Sequence, residues 1–133
     1  FGVLWMFLLP NLKVKYDSSG HLAIISHVTF DSSGKHLMSC DKDFKIRISR
    51  FPSMFIIDGF CYGHTKAVTK CCTIQDKYIV SGSCDETIRI WSIPFGKQLS
   101  IIKFKPSNDD EKKNENDDDN DDEVDESKGL MVE

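Results

Sequence analysis

The chain has 133 residues, 40% of them hydrophobic and 29% charged, with a formal net charge of −4, which bounds it to one ordinary domain. The charge is split: residues 1–105 hold 14 Lys and Arg against eight acids, a net of +6, and residues 106–133 hold three against 13, a net of −10. A membrane span needs about twenty apolar residues and a secretory signal needs a charged leader, so the short apolar stretch 1–9, closed by Pro10, fits neither.

In chain order, residues 1–9 read as a buried strand, and because the chain opens on Phe1, something upstream is expected to be missing. Strands are predicted near residues 3–8 and 13–16, then near 25–30, 36–38, 46–49 and 55–60, and again near 68–73, 78–81, 88–91 and 99–104, from short β-branched and aromatic runs. Asp31-Ser-Ser-Gly34, Gln75-Asp76-Lys77, residues 83–86 and Pro94-Phe95-Gly96-Lys97 supply the turns. The acidic stretch 106–133 has few side chains to bury and is expected to be disordered, as a tail or as an insertion between repeats.

A shift of 42 positions lays Asp43-Phe-Lys-Ile-Arg-Ile-Ser49 on Asp85-Glu-Thr-Ile-Arg-Ile-Trp91 and Ser39 on Ser81, and one further position pairs Gly20-His21 with Gly63-His64. A period of roughly 40 to 45 residues built of short strands predicts four-stranded propeller blades. The expected fold is an all-β propeller fragment of about two and a half blades: the end of an upstream blade over 1–17, complete blades over 18–62 and 63–105, then 106–133.

These motifs resemble the WD-repeat family, whose blades open on Gly-His and close the third strand on Trp-Asp. The resemblance implies a hydrogen-bonded tetrad of His64, Ser81, Asp85 and Trp91, although Ser92 replaces the usual Asp. In the first copy it implies His21, Ser39 and Asp43, with Ser49 where the Trp would stand and a less rigid blade as the consequence. His64, Ser81 and Asp85 are also the residue types of a hydrolase triad, but no Gly-x-Ser-x-Gly elbow accompanies them, so no catalytic residue is assigned. Trp5, Phe7, Phe30, Phe55 and Phe60 are expected to fill space between blades rather than stack on bases. The odd set of Cys40, Cys61, Cys71, Cys72 and Cys84 has no paired metal spacing and reads as reduced core thiols. His27 and His36 stand without a second ligand nearby in the sequence, so no metal site is expected.

Residues 39–52, Ser39-Cys-Asp-Lys-Asp-Phe-Lys-Ile-Arg-Ile-Ser-Arg-Phe-Pro52, and the approach Phe60-Cys-Tyr-Gly-His64 are similar to the non-catalytic WD-repeat subunit of tRNA (guanine-N7-)-methyltransferase. That family expects Ser49, which a general WD repeat does not explain. The resemblance implies a non-enzymatic scaffold that binds the catalytic subunit as a heterodimer, supports N7-methylguanosine formation and meets tRNA mainly through that partner. S-adenosylmethionine would then bind the partner and not this chain, and the setting would be nuclear with the cytoplasm second. It further implies a partner contact at Arg47, with Lys42 and Asp43 as weaker candidates; Lys42 stands where the family has Arg and lacks the planar fork. The competing expectation is a general WD-repeat hub of another complex, with no membrane role in either case.

Overall fold

A computed structural model describes residues 2–105 and gives an all-β architecture of ten strands among the described residues. No helix there is long and apolar enough to cross a membrane. The expectation of disorder over 106–133 falls outside the described residues.

Strands β1 (Gly2–Leu8) and β2 (Lys13–His21) form a two-stranded antiparallel sheet. Strands β3 (Ile25–Phe30), β4 (His36–Asp41), β5 (Ile46–Arg50) and β6 (Ile57–Cys61) form the second sheet in that order. Strands β7 (Val68–Ile74), β8 (Tyr78–Ser83), β9 (Thr87–Ser92) and β10 (Gln98–Lys103) form the third, again as a meander. Both four-stranded sheets are entirely antiparallel. Each follows from short β-formers between tight turns. Gln75 and Asp76 both take φ of 52°, and the Lys77 N–H donates to the Ile74 carbonyl at 3.1 Å, which closes the two-residue turn whose twist suits a hairpin.

Three expectations shift here. The second strand runs to His21, beyond residue 16, because its far end pairs with Gly2 and carries the chain past the blade boundary placed at residue 18. β1 alternates half-buried and exposed positions and is not fully buried; among the described residues it pairs with β2 alone. Trp5, Phe7 and Phe30, expected to fill space between blades, are about half exposed at the edge of a gap of about 260 Å³ that Leu4, Met6, Leu37, Phe51 and Met54 also line, and Phe55 lies in the turn before β6, 65% exposed.

The core joins the two four-stranded sheets. Met38, Cys40, Ile46, Ile48 and Cys61 pack against Val68, Cys71, Ile79 and Trp91, with Ile93 at the margin. Polar bonds stitch the same seam: Thr73 Oγ1 donates to the Phe30 carbonyl at 3.1 Å, Ser26 Oγ to the Val68 carbonyl at 2.5 Å, and Ser32 N and Oγ both donate to Asp76 Oδ1 at 2.6 Å. Of the thiols, Cys40, Cys61 and Cys71 are buried, whereas Cys72 and Cys84 are exposed, because strand alternation turns Cys72 away from the face that buries Cys71.

Candidate functional site

In the third sheet the turn between β8 and β9 carries Asp85, and the chain entering β7 carries His64. His64 Nδ1 lies 2.9 Å from Asp85 Oδ2, its Nε2 lies 2.8 Å from Ser81 Oγ, and the Trp91 indole N–H donates to Ser81 Oγ at 2.8 Å. A neutral ring protonated at Nδ1 satisfies every group: it donates to the carboxylate and accepts from the Ser81 hydroxyl, which in turn accepts from Trp91. Burial, the largest effect, holds the His64 pKa below its ordinary value against the raising effect of Asp85. Asp85 is held well below the usual carboxylate range by bonds from Thr87, the Thr65 amide and His64, which outweigh its desolvation. The structure thus brings His64, Ser81, Asp85 and Trp91 together, and Thr87, which bonds Asp85 Oδ1 at 2.6 Å, joins them without having been singled out in the sequence. Ser81 is 1% exposed and its oxygen is held between imidazole and indole, so no substrate carbonyl can approach it.

Gly63 precedes this cluster for a steric reason. A Cβ there would collide with the Arg89 guanidinium and lie 3.2 Å from the Trp91 ring.

The second sheet repeats the arrangement with one substitution of role. His21 Nε2 lies 2.6 Å from Ser39 Oγ, and Nδ1 lies 2.7 Å from Oδ2 of Asp41, not of Asp43. Asp43 was expected from the repeat alignment; the structure corrects this. Asp41 ends β4 fully buried, and its Oδ1 accepts from the Asp43 and Lys45 amides at 3.0 and 3.3 Å, so it both caps the turn and meets the imidazole. In the third sheet the turn is shared: Ser83 Oγ accepts from the Asp85 amide, while Asp85 meets the imidazole and its Oδ1 accepts from the Thr87 amide at 3.0 Å. Lys45 Nζ sits 2.8 Å from Asp41 Oδ2, where Thr87 serves Asp85. No indole closes this cluster. Ser49 stands there, fully buried, with an oxygen that has no hydrogen-bond partner among the described residues.

Of the residues expected to meet a partner, Lys42 and Asp43 are exposed in the β4–β5 turn. Arg47 lies on β5, 4% exposed, opposite Ser39 in the ladder. It borders a recess of about 250 Å³ with Lys45, His21, Leu22, Ile57 and Phe60. Burial pulls the Arg47 pKa down and the charge of Asp41 opposes that pull. Sequence reasoning missed Lys45, which holds Asp41 and lines this recess, because a lysine in a turn carries no sign of which face it will take.

His27 was expected to stand alone. The structure instead places it with Cys40 and Cys71, three donor atoms within 4.8 Å of one another.

Comparison with known proteins places this geometry in a lineage. A non-catalytic subunit of tRNA (guanine-N(7)-)-methyltransferase from Xenopus laevis, wdr4, is 35% identical over 107 residues, covering 78% of this chain and 27% of that protein. The wdr4 subunit of Dictyostelium discoideum is 38% identical over 93 residues (68% and 20%), and wuho of Drosophila yakuba is 36% identical over 80 (60% and 19%). The chain therefore spans about a fifth to a quarter of the length of these relatives. The crystal structure of the computationally designed Ika4 protein shares the fold, with a TM-score of 0.66 at 22% identity over 74% of this chain and 59% of that one. Residues 15–128 match the family described as tRNA methyltransferase TRM82 WD40 domain, and the chain belongs to that family.

Proposed function

We propose that this chain is part of a non-catalytic scaffold that binds and stabilises the catalytic subunit of a tRNA (guanine-N7-)-methyltransferase, supporting N7-methylguanosine formation in a nuclear complex. The relatives carry the name of that subunit, and both imidazole clusters are consumed in holding strands together. S-adenosylmethionine and the chemistry belong to the partner, and tRNA is met mainly through it.

The observation that carries the reading is the recess beside Arg47. It is lined by Arg47 and by Lys45, which pairs with Asp41 at 2.8 Å, beneath an apolar rim of Leu22, Ile57 and Phe60. A partner carboxylate entering on an apolar-flanked segment would add to the contacts Arg47 already makes, in a recess whose apolar rim makes the attraction stronger than on an open surface. Lys42, exposed in the turn nearby, adds to the positive field that steers such a segment inward.

The test is co-purification and tRNA methylation with the full-length protein and its catalytic partner. Arg47→Glu reverses the buried charge, and Leu22→Glu reverses the rim at a side chain 80% exposed, where the fold is indifferent to the change. Arg47→Glu is expected to lower partner affinity by about 2–5 kcal/mol, and Leu22→Glu to lower it by less, with methylation falling in step. Unchanged association in a folded Leu22→Glu protein would overturn the recess as the docking point.

A further inference from the structure

The two four-stranded sheets meet along β3, β4 and β7, and one donor atom from each strand converges on a single point. His27 and Cys40 face each other across the β3–β4 ladder, and Cys71 comes from β7, the edge strand of the next sheet. Their ligating atoms all lie within 4.8 Å of one another, with Cys71 Sγ 3.9 Å from His27 Nδ1. Cys40 and Cys71 are buried and His27 is half-buried. We propose that His27, Cys40 and Cys71 form a site for a divalent thiophilic cation, zinc above all, which clasps the two sheets together.

The donor set suits that ion. Two thiolates and an imidazole are soft-to-borderline ligands, and zinc takes sulfur at about 2.3 Å and nitrogen at about 2.0–2.1 Å, with no geometric demand beyond rough tetrahedral spacing. Ligands around such an ion stand about 3.3–3.8 Å apart, so the observed spacing closes with side-chain movements of about 1 Å or less. Two thiolates also neutralise a divalent charge. The filled site is then uncharged in a buried place, whereas a monovalent ion would leave a net negative charge there.

The Cys71 backbone N–H donates to His27 Nδ1 at 3.4 Å, so the ring proton sits on Nε2 and Nδ1 carries the lone pair; a bound ion would take that lone pair in place of the Cys71 N–H. Two of the three donors, His27 and Cys71, also line an open cavity of about 410 Å³ with Thr29 and Lys70, roomy enough to supply a coordinating water. Binding exchanges two thiol protons for the metal: Zn²⁺ and two S–H groups give two Zn–S bonds and two protons released to solvent.

Sequence spacing hides such a site because its ligands lie 13 and 31 positions apart on three strands. Cys61, a third buried thiol in the same core, is not one of the converging donors and serves as an internal control.

The experiment loads the metal-free, fully reduced 133-residue chain with Co²⁺ and then Zn²⁺. The expected result is one equivalent of Co²⁺ with a sulfur-to-cobalt charge-transfer band, displaced by Zn²⁺, together with a zinc-dependent rise in the thermal midpoint. His27→Gln, at a half-exposed position that tolerates the change, is expected to weaken binding by more than about tenfold, and Cys71→Ser by more than about a hundredfold, with the midpoint shift abolished in both. Cys61→Ser is expected to leave the band intact. A folded chain with no band, or one in which Cys71→Ser and His27→Gln still bind zinc as tightly, overturns the site; the latter would locate the ion on the carboxylates of 109–126. A chain isolated with a Cys40–Cys71 disulfide whose thiols, once reduced, bind no zinc overturns it equally.

Discussion

The second and third sheets solve one problem with different side chains. In the third, Ser81 stands between two partners, accepting from Trp91 and serving His64, and the acid at the far side of the ring is Asp85. In the second, Ser39 serves His21 alone, the acid is Asp41, and a lysine in place of Thr87 steadies it. The difference teaches that what is kept between repeats is the satisfaction of both ring nitrogens of a buried histidine, while the identity and position of the satisfying group can drift. Where the drift is complete, as at Ser49, a buried hydroxyl stands without a partner among the described residues.

The comparison breaks first at the serines. Ser81→Ala orphans an indole N–H and an imidazole nitrogen, each a buried group whose loss of a partner costs about 1–3 kcal/mol, so about 2–6 kcal/mol is expected. Ser39→Ala orphans one nitrogen and is expected to cost about half as much. Urea denaturation of the two variants checks this, and equal losses would mean that the indole adds nothing to the third-sheet cluster.

A smaller effect comes from pH. The His21 and His64 pKa values are both lowered, chiefly by burial, so their neutral forms are favoured in the fold. Their contribution is fully present above the ordinary histidine value of 6.5 and declines as pH falls below it toward the depressed folded values, since the unfolded chain takes up protons first. Asp41 and Asp85 are shifted the same way, and their contribution is lost only below the ordinary carboxylate value of 3.8. The denaturation midpoint should therefore drop between pH 7.5 and 5, flanked by a second drop in stronger acid. A midpoint that stays level across the first interval would show that neither imidazole is held neutral.

The smallest effect has the opposite sign. Ser49→Ala removes a fully buried oxygen without a partner, and stability is expected to rise by up to about 1 kcal/mol. A loss instead would reveal a bond to Ser49 that the static structure does not show, and would bring the two blades closer together in kind.

Much of this was legible in the residues. Strand β3 falls at its predicted bounds, and the third sheet differs by one or two residues at most, because β-branched runs between Gly, Asp and Pro leave few alternatives. The His64, Ser81, Asp85 and Trp91 group was legible because each sits at a repeat position with matched chemistry. Asp41 was not, since two aspartates flank the same turn and only the turn's own hydrogen bonds decide which one swings inward. The burial of Arg47 was equally hidden: it occupies the position of Arg89, which is more open and bonds Gln98 at 2.7 Å. The convergence of His27 with two thiols depends on how one sheet docks on the next, which no periodicity encodes.

The bonds across the seam have a bearing on how the chain is made. They join residues 42 to 44 positions apart, as in Ser26 with Val68, Thr73 with Phe30 and Ser32 with Asp76. Each sheet therefore closes on local pairings and then needs only the one before it, so assembly can proceed vectorially from the ribosome, every added unit facing the same modest loop-closure cost as the last.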